Sequence, residues 1–300
     1  QNYICINCSE KIKSFDFYSD LTQKILKKGI DRNSVLVAIG GGTLGDLSGF
    51  IASTLLRGIN LILFPTTLLS QVDSSIGGKN GINTIHGKNL VGTFYQPNAV
   101  FIDPKILSSL PKRELKSGYA EIIKHSIIND EKFFNWLDKN SNDIFNLNPI
   151  IITEAIYKSI LIKKRFIVDD EKERLNNNFS RAILNFGHTF GHALETYYKY
   201  NKKLTHGEAI AIGMSIASKL SNKLNFLSNK NLNKIINHLK KNKLPIFDDE
   251  MYNSKIFQII KKDKKSVNGL TNFILIKKIG SAFLTNKIKL ENIKKILAEN

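Results

Sequence analysis

Cysteine is scarce in this chain: Cys5 and Cys8 are the only two among 300 residues. Two cysteines cannot make a disulfide framework, and a lone C-x-x-C supplies half of the four ligands a structural zinc site takes. Reduced thiols in a cytoplasmic protein are the expectation. Long apolar runs are lacking too. None approaches the roughly 18 residues of a membrane-spanning helix, so no membrane partner is expected. The first residues, Gln1-Asn2-Tyr3-Ile4-Cys5, show no basic stretch followed by an apolar one, and no signal peptide is expected. Internal repeats are absent as well.

Acidic residues are outnumbered, 26 against 44 basic ones, leaving a formal charge of +18. That balance invites a polyanion-binding reading, but composition supplies another cause. The chain holds 42 Ile, 38 Lys and 32 Asn, all with A/T-rich codons, so biased base composition accounts for the excess. The lysines are thinly spread, gather mainly after Asn222, and lack interleaved aromatics that would stack bases. No nucleic-acid partner is expected, although anionic substrates will be attracted. With 42% hydrophobic and 23% charged residues the chain is globular, and its length suits two domains.

Strands and helices alternate in the first third. Val35–Ile39 is a short β-branched run that stops at three glycines, as a buried parallel strand would. Apolar positions from Asp46 to Leu56 recur at helical spacing. Asn60–Phe64 and Ala99–Asp103 read as two further strands, each closed by a proline. After Pro111 helical patterns take over: Glu114–Leu137, Ile150–Val168, Ala182–Tyr198, Glu208–Leu224 and Asn231–Asn242, with strands expected only at Asn272–Ile276 and Ala282–Leu284. The fold class is therefore α/β, with a Rossmann-like domain over 1–111 and a mostly α-helical domain over 112–300.

Four constellations carry chemistry. Gly40-Gly41-Gly42-Thr43-Leu44-Gly45 satisfies G-x-G-x-x-G between a strand and a helix, where backbone N–H groups can meet a pyrophosphate. No acid stands about 20 residues downstream to hold a ribose, so the turn reads equally as a variant phosphate cradle or a tight structural turn. Pro65–Lys79 is dense in small polar groups, and Lys79 and Lys88 are either point charges for phosphate or members of a surface loop. His188, His192 and Glu195 share one helix face, with His206 fourteen residues beyond His192. The simplest reading pairs His188 with His192 as metal ligands, completed by His206 or a carboxylate; satisfied core histidines are the alternative. Glu121 and Lys124, at i and i+3, have the spacing of an ordinary surface ion pair.

GGGTLGD (Gly40–Asp46), LLRGI (Leu55–Ile59), PTTLLSQVDSSIGGKNGIN (Pro65–Asn83), GKNLVGTFYQP (Gly87–Pro97), SGYAEIIKH (Ser117–His125), LNFGHTFGHALE (Leu184–Glu195) and HGEAIAIGM (His206–Met214) follow one another in order. Together they resemble the 3-dehydroquinate synthases from Cys8 to about Gly280. The resemblance implies a catalytic divalent metal, zinc or else cobalt, on Glu121, His188 and His206, with His192 touching substrate instead. It implies NAD held by Glu10, Lys13, Gly41, Gly42, Asp46, Thr66, Thr67, Lys79, Lys88, Ser109 and Glu114. Substrate carboxylate and phosphate would fall to Asp73, Lys79, Asn89, Lys124, Lys163, Arg181, Asn185, His192 and one of Lys264 and Lys265. Arg57 resembles a residue that reaches the partner subunit's site, which implies a homodimer.

The implied reaction turns a small sugar phosphate, 3-deoxy-D-arabino-heptulosonate 7-phosphate, into 3-dehydroquinate and phosphate in the shikimate pathway. NAD oxidises the C5 alcohol transiently, phosphate is eliminated, the hydride returns, and an intramolecular aldol closes the ring. Two departures stand out. Glu173–Arg181 is a few residues longer than the family pattern, so Arg181 is placed by its distance from Asn185. Gln1 is not a start methionine, and the first strands of the NAD domain are expected to be missing. Alternatives are another sugar-phosphate cyclase, a metal-dependent polyol dehydrogenase, a polyanion-binding protein and an inactive relative of the synthase.

Overall fold

The computed structural model describes residues 3–201, 203–263, 272–288 and 293. It comprises two compact units, Gln1–Leu110 and Pro111–Asn300. The first contains, in chain order, α1 (Phe15–Leu26), β1 (Val35–Gly40), α2 (Gly42–Thr54), β2 (Asn60–Pro65), β3 (Lys79–Thr84), β4 (Gly87–Phe94) and β5 (Ala99–Val100). Strands β1, β2 and β5 form a parallel sheet in that order. Burial alternates along β2, so Leu61 and Leu63 face a core shared with Leu47, Phe50 and Ile51 of α2. Each fully buried aliphatic side chain there contributes about 1.5–3 kcal/mol. The other face of β1 is open: Val35, Val37 and Ile39 keep 48%, 48% and 64% of their surface exposed.

The expected burial of Val35–Ile39 is thus met on one face only, and the rest of the unit departs from the sequence reading in three places. The third strand stops at Val100, because Asp103 caps a 3₁₀ turn (Pro104–Ser109) by accepting from the Lys105 N–H at 2.9 Å. Pro65–Lys79 is no surface loop. Ser70–Ser74 forms a π-helical turn with Ser70, Gln71 and Val72 buried. The run that follows is an antiparallel hairpin, β3 with β4, in which Gly81 lies opposite Gly92.

The second unit is helical: α3 (Lys112–Asn129), α4 (Glu131–Phe145), α5 (Pro149–Asp169), a 3₁₀ turn (Arg181–Asn185), α6 (His188–Tyr197), α7 (His206–Lys223), α8 (Asn229–Lys241) and α9 (Ser254–Asp263). A hairpin of β6 (Phe273–Lys278) and β7 (Ser281–Thr285) closes the described part. Helices α3 and α7 are buried nearly all round, which is why neither shows a clean amphipathic stripe. The helix expected over Glu114–Leu137 is two helices. Asp130 leaves the helical region (φ −149°) and caps α4 through the Phe133 N–H at 2.9 Å. Ala182–Tyr198 is likewise divided, at Gly187, whose φ is +81°.

A polar chain ties three of these helices together. The Tyr119 hydroxyl of α3 donates to His238 Nε2 of α8 at 3.1 Å, and His238 Nδ1 donates to Asp138 Oδ1 of α4 at 2.8 Å. Burial holds the His238 imidazole below its ordinary pKa, with Asp138 pulling the other way. Asp138 sits low against the effect of its own burial, chiefly because His238 donates to it. For both groups the folded state binds fewer protons than the unfolded one, so their contribution is present above the unfolded pKa and is lost on acidification. For His238 that loss begins below about pH 6.5. The stability advantage of wild type over His238→Gln should therefore narrow as pH falls from 7 to 5 in urea titrations; an advantage independent of pH would contradict this account.

Candidate active site

Glu121 lies mid-way along α3 with none of its side chain exposed, and Lys124 lies one turn further with 1% exposed. This is no surface pair: Lys124 Nζ is in direct contact with Glu121 Oε2. Two histidines approach the other oxygen. His206 Nε2 is 3.4 Å and His188 Nε2 3.8 Å from Glu121 Oε1. One ligand atom from each of the three residues lies within 4.8 Å of the others.

Local backbone chemistry places both histidines. His188 opens α6 directly after Gly187, where a Cβ would stand 2.7 Å from Met214 N and 3.1 Å from Gly213 C. Only glycine allows that φ together with that approach. His206 opens α7 directly before Gly207, where a Cβ would stand 2.2 Å from the Ser117 carbonyl oxygen. Gly207 N–H also donates to Ser117 Oγ at 2.9 Å. The start of α7 is fixed by a capping box: Thr205 Oγ1 accepts from Glu208 N–H, and Glu208 Oε2 accepts from Thr205 N–H at 2.8 Å. Arg113 holds Glu208 in turn, at 2.6 Å. Sequence reading missed Glu208, although T-H-G-E is a legible capping signature.

The electrostatics follow from burial and neighbours. Desolvation works against the Glu121 carboxylate, yet Lys124 and the histidines hold it well below the usual range. Burial, reinforced by Lys124, drives His188 well below the ordinary imidazole value, so it is neutral. His206 goes the other way: burial opposes its charge, but Glu195 and Glu121 push it up to about 10. Oε2 of Glu121 is engaged by Lys124, while the buried Oε1 makes no well-formed hydrogen bond and has the two imidazole nitrogens beside it. A buried, ionised carboxylate with two imidazole nitrogens beside it is a donor set suited to a divalent cation.

The spacing that suggested a His188–His192 pair is not what the fold uses. His192 is exposed, its ring edge-on to His188 at 4.9 Å between centroids. Lys163 on α5 and Arg181 are buried, with Arg181 Nη1 donating to the Glu171 carbonyl at 2.8 Å. Asn185 donates to Glu173 Oε1 at 3.0 Å. The lengthened segment before Arg181 is anchored by Asp170, which accepts from the N–H groups of Arg174, Leu175 and Arg181. Glu114 is exposed in the first turn of α3. Lys264 and Lys265 lie outside the described residues.

In the first unit, Gly40, Gly41 and Gly42 line a small open cleft with Ser70, Ser74 and Pro65. It opens at the carboxyl end of β1 and the amino end of α2, where free N–H groups point outward. Thr66 and Thr67 follow β2 at the same end, and Thr66 N–H donates to Gly40 O at 2.9 Å. Nearby residues pair among themselves. Lys13 is buried and binds Asp46 at 2.6 Å and also Asn89 Oδ1, while Glu10 accepts from Asn83 at 2.9 Å and stands 3.5 Å from Lys88. Burial pushes the Asp46 carboxyl up, against the pull of Lys13. Asn89, expected with the substrate residues, is thus bonded to Lys13, expected with NAD, and Asn83 joins the same cluster through Glu10. Lys79 and Ser109 are exposed, and Asp73 is half-buried in the π-helical turn.

Comparison with known proteins decides the family. Residues 3–117 match the family described as 3-dehydroquinate synthase N-terminal, and residues 118–266 the one described as 3-dehydroquinate synthase C-terminal. The chain belongs to the 3-dehydroquinate synthase family. It is 47% identical to the 3-dehydroquinate synthase of Pelagibacter ubique over 279 residues, 92% of this chain and 75% of that one. With the synthase of Dictyoglomus turgidum it shares 45% over 303 residues, 100% of this chain and 82% of the relative. Among solved structures, a 2-epi-5-epi-valiolone synthase from Streptomyces hygroscopicus with NAD+ and Zn2+ bound superimposes with a TM-score of 0.87. That match is 24% identical and covers 98% of this chain and 81% of that one. A 2-deoxy-scyllo-inosose synthase complexed with carbaglucose-6-phosphate, NAD+ and Co2+ gives 0.76 at 29% identity, covering 98% and 81%. The α/β fold of the dehydroquinate synthases thus extends over this chain.

Removing one member of the buried ion pair tests the site's electrostatics. Lys124→Met leaves buried Glu121 without its closest counter-charge, with His206 as the cation that remains beside it, and should cost about 3 kcal/mol at pH 7. Chemical denaturation should show a smaller loss at pH 4, where Glu121 of the variant takes up a proton. An equal loss at both pH values would mean that Lys124 acts through packing alone.

Proposed function

We propose that this chain is a phosphate-eliminating carbon–oxygen lyase, a 3-dehydroquinate synthase of the shikimate pathway. It would convert 3-deoxy-D-arabino-heptulosonate 7-phosphate to 3-dehydroquinate and phosphate. The observation that carries the reading is Glu121, a fully buried carboxylate with Lys124 on one oxygen and two histidine Nε2 atoms beside the other, which makes no well-formed hydrogen bond. Those three residues would hold a divalent cation, zinc or cobalt as in the relatives named above, leaving coordination positions open for substrate. His206 would give up its Nε2 proton to do so. The glycine cleft, together with Glu10, Lys13, Gly41, Gly42, Asp46, Thr66, Thr67, Lys79, Lys88, Ser109 and Glu114, would hold NAD. When bound, NAD supplies reversible hydride transfer and the cation polarises a substrate hydroxyl.

This chain's own side chains do the rest. Lys124, Lys163 and Arg181 supply fixed positive charge for a phosphate and a carboxylate, so leaving-group charge is stabilised as it develops. Asp73, Lys79, Asn89, Asn185 and His192 orient the hydroxyls, and holding the open chain in one conformation favours ring closure. We assign residues 1–111 to NAD and 112–300 to metal and substrate, in a cytoplasmic enzyme. Arg57 would serve the partner subunit's site in a homodimer. It is exposed, and both Leu56 and Arg57 have positive φ, 49° and 68°. Two consecutive non-glycine residues in that region cost backbone strain that a function would explain.

Phosphate release from the heptulosonate phosphate, with NAD and zinc, tests the reaction. Wild type should release phosphate and His206→Ala should not, with its fold intact by circular dichroism. A folded, NAD-binding wild type that releases none would point to a different sugar phosphate. The Arg57 assignment has its own test. Mixing inactive Arg57→Ala with inactive Glu121→Ala subunits should restore about a quarter of wild-type activity, since half the dimers are mixed and each has one complete site. No recovery despite subunit exchange would sink it.

A further inference from the structure

His206 makes a second contact that the metal reading does not use. Its Nδ1 stands 3.3 Å from both carboxylate oxygens of Glu195, on the side of the ring opposite to the Nε2 that faces Glu121. Glu195 lies on α6, seven residues after His188, so one helix carries a candidate ligand and, two turns on, a carboxylate directed at the other histidine. His188 shows the same pattern in a simpler form: its Nδ1 is 3.3 Å from the Phe186 carbonyl oxygen while its Nε2 faces Glu121. Each imidazole is thus pinned at Nδ1 by an oxygen and aimed at the buried carboxylate with Nε2.

We infer that Glu195 is a positioning residue that accepts the Nδ1–H of His206 and thereby presents its Nε2 lone pair to a divalent cation at Glu121. The inference rests on the metal reading above. Its chemistry is general: a neutral imidazole has one proton, and fixing it on Nδ1 leaves Nε2 free to donate. A carboxylate does this better than a carbonyl because it also raises the basicity of the ring. His192, Glu195 and His206 form a second possible grouping of ligand atoms. There Glu195 would itself be a ligand, but Nδ1 of His206 cannot both donate to Glu195 and bind a cation. Glu121 is the better-placed ligand, being fully buried with Oε1 flanked by two imidazole nitrogens and no well-formed hydrogen bond on it, whereas Glu195 is 12% exposed and already faces the Nδ1 donor.

Zinc affinity of the full chain, by chelator competition at pH 7.5, separates these readings without reference to turnover. Glu195→Ala should weaken zinc binding about 10–100-fold at a stoichiometry of one ion per chain. Glu195→Gln, whose amide oxygen still accepts from Nδ1–H but carries no charge, should recover most of the affinity that the Ala variant loses. Wild-type affinity in Glu195→Ala would overturn the inference. So would a Gln variant as weak as the Ala variant, the result expected of a direct ligand. Glu121→Ala is the control: if it also binds zinc like wild type, the metal assignment itself falls, and not only the role of Glu195.

Discussion

Taking a carboxylate out of water carries a penalty of several kcal/mol that proteins meet only by surrounding the charge. Much of the second unit is arranged around that requirement at Glu121. One cation, Lys124, comes from the same helix and could be supplied by any sequence with a lysine three residues on. Two further nitrogen donors must arrive from other elements, and they do so at the first residues of α6 and α7. A side chain at a helix start is held by cap and turn geometry instead of by a long packed stripe. Thr205, Glu208 and Arg113 at one start, and Gly187 at the other, are consequences of where Glu121 sits.

The two units treat charge differently. In the first, Glu10, Lys13, Asp46 and Lys88 alternate in sign and satisfy one another, a network suited to a ligand recognised through hydroxyl groups and a backbone-bound pyrophosphate. In the second, Lys124, Lys163 and Arg181 are buried along with Glu121 and Asp170, and the proposed function gives that buried positive charge a phosphate and a carboxylate to hold. Most of the chain's +18 lies elsewhere. Its composition-driven lysines add long-range attraction for anions but no specificity.

What could be read from the sequence depended on how far each signal reached. Val35–Ile39 and Asn60–Phe64 are short runs whose character is intrinsic, and both formed parallel strands. The break at Asp130 was missed because apolar spacing continues across it, while the Asp-x-x-Phe cap that causes it is a single residue's hydrogen bond. The β3–β4 hairpin was missed for the opposite reason: glycine and asparagine dominate it, and its pairing is visible only when Gly81 and Gly92 meet. At the site, spacing brought His188 and His192 together, and helical geometry honours that closeness. Spacing could not show that Glu121, 67 residues before His188, lies beside His188 and His206; that grouping came from the family resemblance, and the fold brings the three together. The burial of the Glu121–Lys124 pair was equally invisible, since i, i+3 spacing is the same on a surface and in a core.

The helices that carry the two histidines meet their neighbours through main chain. Gly187 lies against the backbone of Met214 and Gly213, and Gly207 against that of Ser117. Contacts of that kind are made by atoms common to all residues, so the separation of His188 from His206 owes little to which aliphatic side chains fill the surrounding core. A gene under steady pressure toward A/T-rich codons can exchange valine for isoleucine and arginine for lysine across most of its length. The spacing of the site is insulated from that drift, and the few glycines that provide the insulation are positions where any added side chain would meet backbone.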